Sequence, residues 1–66
     1  PRRRQLDGLV VNLIRKVNAE REKLGLDLAL AMGGGREQVS RAAVTFVALD
    51  CAVSELIMAV AERDSW

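Results

Sequence analysis

Residues 24–37 read L-G-L-D-L-A-L-A-M-G-G-G-R-E, and the reading of this stretch decides the fold. Gly33–Gly34–Gly35 stands almost at the midpoint of a chain of 66 residues. Three consecutive glycines cost too much backbone entropy to sit inside a helix, so they mark a turn between two segments of similar length. The run before them alternates, with Leu at 24, 26, 28 and 30, a pattern that nominally signals a strand. Its residue types argue for a helix: Leu, Ala and Met are helix formers, and no β-branched residue interrupts them. Gly25 is the weak point, where a helix stop followed by a loop or strand is the competing reading.

Upstream, Leu6, Val10, Leu13, Val17, Leu24 and Leu28 recur at steps of three, four or seven, one stripe of a helix. Leu9 and Ile14 widen the stripe. Asn12, Arg15, Asn18, Ala19, Glu22 and Lys23 fall on the opposite, wet side. Asp7 is placed to cap the helix N-terminus, with Leu6 and Val11 as a hydrophobic staple. Positive charge is disfavoured at that helix end, so residues 1–5, with Arg2, Arg3 and Arg4, are expected to form a basic, flexible arm. The spacing predicts one helix over about 6–32.

Downstream, Gly35 can cap a second helix, with Glu37 suited to its positive end and an i, i+4 partner in Arg41. Phe46, Leu49, Val53, Leu56 and Val60 keep a 3-4-3-4 spacing flanked by Val39 and Ile57, which predicts the seam against helix 1. Arg41, Thr45, Ala48, Ala52, Glu55, Ala59 and Glu62 form the expected wet face. The helix should run over about 36–63. With a turn at 33–35 and two helices each about 40 Å long, residues 6–66 form a single domain. The fold class is all-α, an antiparallel helical hairpin.

Such a hairpin is not self-sufficient. Chains this short bury only about 60% of their unfolded surface. Cys51 is the only cysteine and there is no histidine, which excludes an internal disulfide and argues against zinc. Half the residues are hydrophobic. Beyond its seam, helix 2 carries a second apolar stripe of Val44, Val47, Cys51, Met58 and Ala61, and Leu26 and Leu30 add apolar groups near the turn. A helix apolar on most sides is buried on most sides. The simplest closure is a homodimer forming a four-helix bundle, with Leu26, Leu30, Val44, Val47, Cys51 and Met58 at the oligomer interface. Docking onto a larger protein is the other way to cover them. Asp50 lies between the two stripes, either reaching water at the interface edge or fixing register by pairing with Arg15 or Arg21 of the other hairpin.

The chemistry available is sparse. Without histidine or tyrosine the commonest general acid–base group is missing. Cys51 sits mid-helix on an apolar stripe with no evident base, as a buried structural thiol would. Neither Glu20 with Glu22 nor Asp50 with Glu55 makes an acid pair. The glycines lack the frame of a phosphate loop. The expectation is a non-enzymatic chain without cofactor or metal, acting as a homo-oligomeric interaction, regulatory or adaptor module.

Net charge is +1, but it is divided: seven basic against three acidic residues over 1–23, then three against six over 24–66. This asymmetry supports the alternative, duplex nucleic-acid binding, RNA or DNA, through Arg2, Arg3, Arg4, Asn12, Arg15, Lys16, Asn18 and Lys23 of a dimeric hairpin. Dimeric helical hairpins can grip double-stranded RNA by shape, an analogy of fold alone. The lone thiol favours a reducing, cytoplasmic setting. The apolar run after the N-terminal arginines is too broken for a signal peptide. Ala42–Ala61 is the only candidate membrane span, and Asp50 and Glu55 near its middle argue against it. Trp66 suits an anchor in a partner or a cover over the bundle end.

Overall fold

The computed structural model describes residues 2–65. Two helices, α1 (Arg2–Gly33) and α2 (Arg36–Asp64), fold back on each other as an antiparallel hairpin with extents of 49 × 14 × 11 Å. Helix α1 passes through Gly25 unbroken, as the helix-forming residues around it dictate. The terminal Trp66 lies outside the described residues.

The turn is tighter than the glycine run suggested. Gly33 is the last residue of α1, and the chain reverses over Gly34 and Gly35. No glycine has positive φ, so the turn does not rest on left-handed backbone. Gly34 is needed for space: a Cβ there would stand 2.7 Å from Gln38 Cγ and 2.9 Å from the Leu30 carbonyl oxygen. Gly35 caps α2 in extended conformation, its N–H donating to Gln38 Oε1 at 3.0 Å. Gln38 thus supplies the side-chain half of a capping box.

The first turn of α1 corrects the sequence reading. The helix starts at Arg2, so residues 2–5 are helical rather than a flexible arm, and Asp7 is not a cap. Without a cap at Asp7 the proposed staple has no basis: Leu6 is buried, but Val11 is exposed. Arg2 tolerates the positive helix end because antiparallel packing sets an acidic residue of α2 beside it. Arg2 forms an ion pair with Glu62, and Asp7 stands 3.9 Å from Arg63.

The seam between the helices repeats every seven residues on both sides. On α1 it runs through Leu6, Val10, Leu13, Val17, Glu20, Leu24, Asp27 and Ala31, all buried or half-buried. Leu6 to Leu24 follow the predicted stripe, but Leu28 does not belong to it and is 51% exposed. Asp27, one residue earlier, takes the seam position instead. On α2 the seam runs through Gln38, Ala42, Thr45, Leu49, Ala52, Leu56, Ala59 and Arg63. Thr45, Ala52 and Ala59, expected on the wet face, are among the most buried residues of the chain, while Phe46 is exposed. Relative to the predicted seam, α2 is turned by roughly 50°, half the 100° between successive residues of a helix. Small side chains let two helix backbones approach closely, where a row of Val and Phe would hold them apart. The larger groups supplied by α1 (Val10 and Leu13) close over Ala59, with Leu56 and Val60 packed at the margin.

Candidate functional site: the uncovered helix faces

Close packing through small residues leaves most large apolar groups uncovered. Among the described residues, thirteen large hydrophobic side chains are exposed, six on α2 from Val39 to Met58 and seven on α1 from Leu9 to Met32. The six residues expected at an oligomer interface (Leu26, Leu30, Val44, Val47, Cys51 and Met58) are all exposed. The Cys51 thiol is therefore open in the single chain rather than buried. Sequence reasoning missed Phe46, Val39 and Ile57 as uncovered residues, because it spent their row on the intramolecular seam. Seam exposure of this kind was not signalled by periodicity, since α2 is apolar in almost every direction.

The hairpin has two open sides. One is grooved. A shallow opening of about 460 Å³ is lined by Leu9, Leu13, Met58 and Ala59, with Glu55 and Glu62 at its rim. Nearer the turn, about 570 Å³ lies between Lys23, Asp27, Arg41, Val44 and Thr45. This side mixes both charge signs with apolar groups. The other side carries the rows next in angle: Val39, Phe46, Ala43, Asp50 and Ile57 from α2, with Ile14, Arg21, Gly25 and Leu28 from α1. It is the more apolar of the two.

Two carboxylates enter the seam. Thr45 places its hydroxyl 2.5 Å from Asp27 Oδ2 and 3.1 Å from the Arg41 carbonyl oxygen. A hydroxyl has one proton to give, and the charged carboxylate is the stronger acceptor. Glu20, one heptad before Asp27, has a buried Oε2 with no hydrogen-bond partner.

The candidate nucleic-acid residues are dispersed. Arg2, Arg3, Arg4, Asn12, Arg15, Lys16, Asn18 and Lys23 are all exposed on α1, but at 100° per residue they spread over more than half its circumference. Arg2 is already engaged by Glu62. Asp50 is exposed, and neither it nor Arg21 has an ion partner among the described residues. No three potential metal ligands cluster among the described residues. By length and composition α2 is apolar enough to cross a membrane. No known protein family, curated protein or solved structure matches the chain.

Proposed function

We propose that this chain is a non-enzymatic helical module that works by self-association, two or more hairpins packing into a helical bundle that serves as an interaction or adaptor unit in the cytoplasm. The observation that carries the reading is the exposed apolar surface. Thirteen large hydrophobic side chains on a hairpin this narrow exceed what soluble monomers leave in water. Their distribution along both helices, from Leu9 to Met32 on α1 and from Val39 to Met58 on α2, fits contact with further helices rather than a single small-molecule pocket. The stripe Val44, Val47, Cys51 and Met58, with Leu26 and Leu30 near the turn, offers a further contact surface, for additional hairpins or for a larger protein. The same apolar length gives α2 the composition of a membrane span, but Asp50 and Glu55 each carry a cost of about 2.5–3.5 kcal/mol in the middle of a bilayer.

Sedimentation equilibrium from low to high micromolar concentration tests the reading. The expected result is a mass of at least two chains. A monomer throughout, or a chain that floats with neutral phosphatidylcholine vesicles and is monomeric without them, would overturn it.

A further inference from the structure

We infer that two copies associate about a two-fold axis running along the hairpin, so that α2 of each copy lies on α1 of the other, both turns at the same end, with Phe46 seated over Gly25 of the second copy and Asp50 facing Arg21 of the second copy. This rests on the self-association reading and specifies its geometry.

Thr45 bonds Asp27, and Arg63 meets Asp7, so each step forward on α2 is one step back on α1. A two-fold along the hairpin preserves height. Phe46 therefore stands level with residues 24–26 of the second copy, Asp50 with 20–22 and Ile57 with 13–15. The residues on the apolar open side at those heights are Gly25, Arg21 and Ile14. These three matches are chemically complementary, and where Asp64 comes level with Asp7 of the second copy each carboxylate already has Arg63 of its own hairpin beside it. Gly25 is a helix-weakening residue within α1, and a Cβ built on it meets nothing within 4 Å. It leaves a notch in the helix surface where the largest exposed ring of α2 arrives. Arg21 and Asp50, both exposed and without ion partners in their own hairpin among the described residues, meet with opposite charge. Ile57, 63% exposed, meets Ile14, 45% exposed.

The competing two-fold, across the hairpin, sets α2 on α2. It aligns Val39 with Val60 and Phe46 with Val53 only in a register that brings Asp50 against Asp50 of the second copy, a like-charge contact that penalises the pairing. Both two-folds keep every neighbouring helix pair antiparallel, so the helix dipoles suit either and the charge contact separates them. A face 49 Å long and 14 Å wide amounts to roughly 700 Å² per copy, close to the ~800 Å² each partner of a stable complex buries.

The test uses the full chain with Cys51→Ala and a nitroxide on Gly33→Cys, where the backbone has open space. Electron–electron spin distances should place the two labels at one end, within roughly 30 Å of each other, three times the ~10 Å between neighbouring helices. A dimer by sedimentation whose labels stand more than about 30 Å apart, as turns at opposite ends of the 49 Å hairpin would set them, overturns this geometry and leaves self-association intact. A chain that is monomeric by sedimentation overturns both. Asp50→Arg and Arg21→Asp should each weaken the dimer by about tenfold or more, and the double exchange should restore it. A double variant as weak as the singles overturns the pairing.

Discussion

Thr45 of α2, 3% exposed, gives its hydroxyl proton to the carboxylate of Asp27 on α1, the one side-chain hydrogen bond among the described residues that ties the helices together near the turn. It fixes the register from which all other cross-helix levels follow. Its strength comes from the asymmetry of buried polar groups: a satisfied pair contributes modestly, whereas an orphaned partner is costly. Thr45→Val should therefore lower stability by about 1–3 kcal/mol, chiefly because Asp27 loses its donor. Asp27→Leu combined with Thr45→Val should recover most of that loss. Urea denaturation of the four proteins at one protomer concentration measures the coupling, and strict additivity would show that the two groups act independently.

The alanine rows make a second prediction. Ala52 is 1% exposed within the seam, while Ala19, on the wet side of α1, is exposed. Ala52→Leu adds three carbons where the backbones approach, an overpacking that costs about 1–3 kcal/mol. Ala19→Leu should change stability by less than about 0.5 kcal/mol, as surface substitutions commonly do. If Ala52 instead accepts leucine as readily as Ala19, the helices are not packed through their small residues.

How much of this was legible beforehand differs between the helices. Helix α1 is amphipathic, and its stripe from Leu6 to Leu24 could be read from spacing alone. Helix α2 offers several apolar rows, and choosing the row with the largest side chains put Phe46 in the seam. Spacing does not weigh how closely two backbones can approach, so Thr45, Ala52 and Ala59 passed as a wet face. Asp27 and Glu20 were hidden for the opposite reason: charged residues in a heptad position read as interruptions, although Thr45 accommodates one of them. The exposed apolar surface of the candidate site was legible in kind, from the excess of apolar residues on α2. Its placement followed the seam and shifted with it.

Glu20 lies in the seam with an unpartnered buried oxygen. Leaving such an acceptor unsatisfied costs about 1–3 kcal/mol, and the heptad neighbours Leu6 and Leu13 show that leucine fits this row. Glu20→Leu should raise the thermal midpoint, by about 4–8 °C for each kcal/mol gained. Calorimetry at constant protomer concentration is the measurement, since any association shifts the midpoint by mass action. An unchanged or lower midpoint would mean that Glu20 holds a partner in the assembled protein.

The glycines separate stability from association. Gly34→Ala should destabilise the turn, because its Cβ would press on the Leu30 carbonyl oxygen as well as on Gln38. Backbone cannot give way as the far end of a side chain can. Gly33 and Gly25 have open space around a new Cβ, so alanine at either should strengthen α1 by up to about 1 kcal/mol through helix propensity. At Gly33 the gain should be the whole effect. At Gly25 a larger residue should also obstruct Phe46 of the second copy: Gly25→Leu should keep the helical circular dichroism of the hairpin while weakening self-association in sedimentation. Phe46→Ala provides the reciprocal case, since it removes the ring without filling the notch. Combined with Gly25→Leu it should cost less than the two changes separately, because the clash disappears with the ring.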